Sequence, residues 1–64
     1  MIISDFANSP DENICGWHVY DKDKCFFYQN KEEVIKAHGK REILECHLEW
    51  KDFTDKWIII IYLV

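Results

Sequence analysis

The chain has no long apolar run, no excess of basic residues, almost no glycine and no even set of cysteines, and each shortage excludes a class of function. Its longest apolar stretch is the eight residues from Trp57 to Val64, far short of the ~20 that span a bilayer as a helix. Gly16 and Gly39 are the only glycines, so no glycine-rich loop can cradle a phosphate. Lys and Arg number 8 against 12 Asp and Glu, and the resulting net charge of −4 disfavours nonspecific binding to DNA or anionic lipid. Three cysteines, Cys15, Cys25 and Cys46, cannot all pair within one chain. The opening residues Met1 to Phe6 carry no basic segment ahead of a long apolar core. Together these features lead to the expectation of a reducing, cytoplasmic setting in which free thiols serve as small apolar core residues. No membrane, nucleic-acid or cofactor partner is expected.

What the chain does have is apolar and aromatic bulk. Apolar residues make up 48% and aromatic residues 16% of 64 positions, which suits one domain, residues 1–64, in the size range where a single core is only marginally sufficient. Each aromatic side chain can bury roughly 150–250 Å², which compensates for the short length. The four consecutive isoleucines Ile58 to Ile61 are stiff at χ1 and suit a pleated sheet better than a helix. Both faces of that strand are apolar, so both call for cover.

Periodicity orders the remaining elements. Residues 1–13 read as a short strand or arm, followed by a turn or helix start at Ser9-Pro10-Asp11-Glu12. From Ile14 to Tyr20, Trp17 and Val19 fall on one face and His18 and Tyr20 on the other. A polar turn at Asp21 to Lys24 and a second apolar segment, Cys25 to Tyr28, complete a hairpin. Asn30 is placed to cap a helix starting at Lys31, with Glu33 in capping-box position and Gly39 as a left-handed stop. Residues Arg41 to Trp50 alternate, with Leu44, Cys46, Leu48 and Trp50 facing the core against Ile43, Glu45, His47 and Glu49. The polar connection Lys51 to Lys56 then returns the chain into the last strand, which should be central or at an interface. The spacing predicts an α+β fold of order (β)ββαββ: a small antiparallel sheet of four to five strands with one short helix on one face. Which face of the last strand meets that helix is not set by the pattern.

Three constellations could carry chemistry. Cys15, His18 and Cys25, with one of His38, Cys46 or His47, have the residue types for a zinc site, but the second half of a zinc-finger spacing is missing. Cys15 and His18 could be a thiol and its base, yet on a regular strand they face apart and so small a chain offers little room for a substrate pocket. Glu45 and Glu49 project from one strand face roughly 13–14 Å apart. With Asp52 and Asp55 beyond them they could imitate a phosphate run, although Lys40, Arg41, Lys51 and Lys56 dilute that charge.

The expectation that follows is a non-enzymatic protein-interaction module acting through a sheet face or edge. Small acidic chains of this kind serve viruses and mobile elements as inhibitors or modulators of a host protein. Ile58, Ile60, Tyr62 and Val64 are the candidates for homodimeric self-association, and Glu45, His47 and Glu49 for contact with a basic partner. A zinc-stabilised adaptor and an acidic nucleic-acid mimic are the alternatives.

Overall fold

A computed structural model describes residues 1–7 and 13–64. The helix start expected at Ser9 to Glu12 lies outside the described residues. The elements are α1 (Ile3–Ala7), β1 (Ile14–Asp21), β2 (Lys24–Tyr28), α2 (Lys31–His38), β3 (Ile43–Lys51) and β4 (Lys56–Leu63). The fold is α+β, and the strands form one sheet in the order β2-β1-β4-β3. β1–β2 and β3–β4 are antiparallel hairpins, but they join through a parallel β1–β4 pair. The sheet is therefore mixed, where local pattern had suggested an antiparallel one.

β4 is central, with β1 and β3 paired along its two edges. Ile59, Ile61 and Leu63 turn towards the helices and join Ile3, Ala7, Trp17, Val19 and Val34 in the core. Ile58, Ile60 and Tyr62 point the other way. Phe6, Ile14, Phe26, Tyr28, Ile35 and Ile43 close the rim of the core.

The N-terminal segment departs from the expected strand or arm. Ile2 makes one antiparallel bridge with Glu42, and the chain then coils into α1. The Ile3 amide donates to the Arg41 carbonyl (3.0 Å) and the Ser4 amide to the Gly39 carbonyl (2.9 Å), which pins α1 to the end of α2 and buries Ile3 and Ala7.

α2 begins as its sequence dictates. The Asn30 side chain accepts from the Glu33 amide at 3.0 Å, satisfying one of the orphan donors of the first turn. Its end differs from expectation: Gly39 is right-handed (φ −53°, ψ −31°), and its N–H bonds to the Ile35 carbonyl. What requires glycine is space, since a Cβ at Gly39 would lie 2.5 Å from the Ile35 carbonyl oxygen. Behind this corner, Arg41 grips Asp21 through two hydrogen bonds of 3.0 and 3.1 Å. That guanidinium holds the Asp21 carboxyl below its usual range.

The imidazole of His38 closes the last turn of α2 against β2. The Tyr28 hydroxyl lies 2.8 Å from His38 Nε2, and the Phe26 ring centroid is 4.9 Å from that of the imidazole. Burial holds the His38 pKa below its ordinary value, helped by Arg41 and opposed by Asp21, while burial and then Glu33 raise that of Tyr28. Both shifts favour one state, a neutral phenol donating to a neutral imidazole. Because the folded form resists a proton that the unfolded chain accepts, stability is present above the ordinary histidine value of 6.5 and is lost as pH falls below it. His38→Gln, which keeps a hydrogen-bonding partner for Tyr28 but does not titrate, is expected to flatten this slope. Urea midpoints of both proteins between about pH 7.5 and 5.5 check it, and parallel curves would refute the assignment.

Candidate functional site

The face of the sheet away from the helices is open, and strand register arranges it in rows. Phe27, His18, Ile60 and His47 cross the four strands in one row, and Cys25, Tyr20, Tyr62 and Glu45 in the next. Ile58 and Glu49 pair in a third. The His18 ring meets Phe27 edge-on at 4.6 Å, and Tyr20 stacks on Tyr62 at 5.1 Å. The Tyr20 phenol is held protonated above its ordinary range, first by its hydrogen bond to the Cys25 thiol. Phe27 is 66% exposed and Tyr62 38%, while Ile58 and Ile60 between them are half-buried by their neighbours. The result is an aromatic and aliphatic surface with no second layer over it among the described residues.

Its β3 side is acidic. Glu45 pairs with His47 at 2.8 Å and Glu49 with Lys51 at 3.1 Å, all four on the open side of the strand. Such exposed pairs contribute little to stability, but they fix carboxylates at the rim of an apolar patch. This is where the sequence placed Glu45, His47 and Glu49. Ile58, Ile60 and Tyr62 share the face, and Val64 follows β4 as an exposed residue whose N–H bonds to the Glu42 carbonyl.

The helix side of β3 was expected to be core, and it is not. Leu48 is 57% and Trp50 43% exposed, and Cys46 is exposed as well. An irregularity between Ile43 and Glu45 shifts the register, so Ile43 packs against the core and Leu44 stands 66% exposed. Size explains the missing cover. A helix of eight residues is about 12 Å long and about 10 Å across, while four strands span roughly 14 Å between their outer axes. α2 packs on β2 and α1 on α2, so among the described residues the helices leave β3 at the far edge largely uncovered. Between the helices and β3 lies a groove of about 730 Å³, lined by Phe6, Trp17, Cys46, Leu48, Ile59 and the first turn of α2. The same geometry could have been anticipated from the sequence by comparing the one predicted helix with the number of strands.

The candidate metal and nucleophile residues are dispersed. Among the described residues, no three His, Cys, Asp or Glu side chains gather in a cluster fit for a metal ion. Cys15 Sγ faces Thr54 Oγ1 at 3.9 Å, His18 packs on Phe27, and Cys25 sits beside Tyr20. None of the three thiols is buried, which corrects their expected role as core residues: Cys15 is half-exposed and Cys25 and Cys46 are exposed. Cys15 has left the regular ladder through an irregularity between Ile14 and Gly16, and Cys46 shares the uncovered side of β3. No described helix is long and apolar enough to cross a membrane. No protein-family model, curated protein or solved structure matches the chain.

Proposed function

We propose that this chain is a non-enzymatic protein-interaction module, a small inhibitor or modulator of the type that viruses and mobile elements direct at a host protein, and that the open sheet face is its docking surface. The observation that supports it is the uncovered apolar patch of Phe27, Tyr20, Ile58, Ile60 and Tyr62, rimmed on one side by Glu45 and Glu49. Aromatic and aliphatic side chains at the centre with charge at the edge are the composition of a protein interface. The occupant that fits is a protein surface with an apolar centre flanked by lysine or arginine, drawn in by the net charge of −4. Glu45 and Glu49 are already paired with His47 and Lys51, which leaves too little uncompensated charge to favour a nucleic-acid mimic.

Ile60 lies at the middle of the patch, between His18 and His47. Ile60→Asp is expected to weaken partner binding at least about tenfold, because removing a buried isoleucine from an interface forfeits about 1.5–3 kcal/mol. A photo-crosslinking side chain at Phe27 should label the same partner, whereas one at Phe53 in the β3–β4 loop should not. Equal labelling from both positions, or unchanged binding by folded Ile60→Asp, would sink the assignment.

A further inference from the structure

We propose that a second copy of this chain adds its β3 to the outer edge of the first, antiparallel and centred on Leu48, joining two four-stranded sheets into one of eight strands. β3 ends the sheet, and no described strand lies beyond it. A strand in that position presents a row of N–H and C=O groups to any strand that can reach it. Apolar edges are normally shortened, charged or covered; this one carries charge on its open side but exposes Leu44, Leu48 and Trp50.

Charge complementarity selects the occupant and the register. When two copies of a strand pair about a two-fold axis perpendicular to the sheet, opposed residues must lie on the same face, so the axis passes through a residue. Centred on Leu48, the strand sets Glu45 against Lys51 of the second copy and His47 against its Glu49 on the open face. On the helix side the same register sets Cys46 against Trp50, and Leu48 against its own counterpart. Glu45 then lies between the imidazole of His47 on its own strand, 2.8 Å away, and Lys51 of the other, and Glu49 between Lys51 of its own strand, 3.1 Å away, and the imidazole of the other copy's His47. Neighbouring registers fail. Centring on His47 opposes Glu45 to Glu49, and centring on Glu49 opposes the two Glu49 carboxylates to each other. Centring on Cys46 sets Glu49 against Ile43, whose edge is occupied.

The free length of the edge agrees. The Ile43 amide donates to the Met1 carbonyl at 2.9 Å, and Ile2 bridges Glu42. The N-terminal segment thus blocks the edge below residue 44. In the Leu48 register the strand of the second copy ends with Lys51 opposite Glu45, just short of that block. The helices of both copies fall on one side of the joined sheet, and the second Leu48 and Trp50 extend the wall of the groove lined by Cys46 and Leu48. This pairing shares Glu45 and Glu49 with the rim of the open face but uses none of the apolar centre at Phe27, Tyr20, Ile58, Ile60 and Tyr62.

Sedimentation velocity at high micromolar concentration, with circular dichroism to confirm folding, tests it. The wild-type protein is expected to be a dimer, and Leu48→Lys, which opposes two ammonium groups at the axis, a monomer. Glu45→Lys and Lys51→Glu should each weaken the dimer, while the two together restore it, because the swapped charges again oppose. Ile60→Asp should leave it intact, which separates the edge pairing from the open-face reading. As a second measurement, Leu48→Cys in a chain with Cys15, Cys25 and Cys46 changed to Ser should oxidise to a disulfide-linked dimer. A monomeric wild-type protein, a double swap no better than the single changes, or a dimer lost in Ile60→Asp but kept in Leu48→Lys would each overturn the proposal.

Discussion

Ile61→Ala is expected to destabilise the protein by about 2–5 kcal/mol, and Ile60→Ala, one position away, by about 1 kcal/mol or less. The difference comes from the sides of the sheet they occupy. Ile61 is completely buried against Val19, Val34 and Ile3 in the helix-side core, so truncation leaves a cavity that fixed neighbours cannot fill. Ile60 lies on the open face between His18 and His47, where water and flanking side chains can occupy the vacated space. A domain of this length has a total stability of about 3–10 kcal/mol, so the first change removes much of it and the second little. Urea unfolding of alanine variants at positions 58 to 61 should give costs that alternate small, large, small, large. Uniform costs would mean that both faces are covered, and an inverted alternation that the helices pack on the other side.

Gly39→Ala is the second large effect, at about 1–3 kcal/mol. Its backbone angles are open to any residue, so conformational freedom is not the issue. The new Cβ would stand 2.5 Å from the Ile35 carbonyl oxygen and 3.2 Å from Ile35 Cγ2, and relieving that contact means moving the turn. The turn is tied on both sides, because the Gly39 carbonyl accepts the Ser4 amide and the Arg41 amide donates to the His38 carbonyl. Thermal melting should therefore show the loss together with faster hydrogen exchange across α1. A melting temperature within a degree or two of wild type would show that the corner can relax.

Local chemistry was legible from the residues, and long-range placement was not. The Asn30 cap and the alternations through Trp17 to Tyr20 and Glu45 to Trp50 each depend on residues a few positions apart, and the cap and the two sets of faces are present, with Glu33 contributing its backbone amide to the cap. The parallel pairing of Trp17 with Ile59 links residues from opposite ends of the sequence, and no periodicity within a strand encodes which neighbour it will have. The fate of Leu44 turned on one irregular residue that exchanged its face with Ile43. The exposure of Cys46, Leu48 and Trp50 depended on how far two short helices reach, which is a property of areas and not of pattern. Glu45, His47 and Glu49 could be found from their alternation. The self-complementary order Glu45, His47, Glu49, Lys51 acquires meaning only once β3 is known to be an edge.

The parallel seam between β1 and β4 also dictates how the chain must fold. Neither hairpin owns a core: Trp17 and Val19 come from one, Ile59, Ile61 and Leu63 from the other, and Val34 from the helix between them. The central pairing closes a loop of some 40 residues (Trp17 to Ile59), whose entropy is lost before any apolar contact across the seam compensates it. During synthesis the first hairpin must wait, with its aromatic face bare, until residues 57–63 have been added.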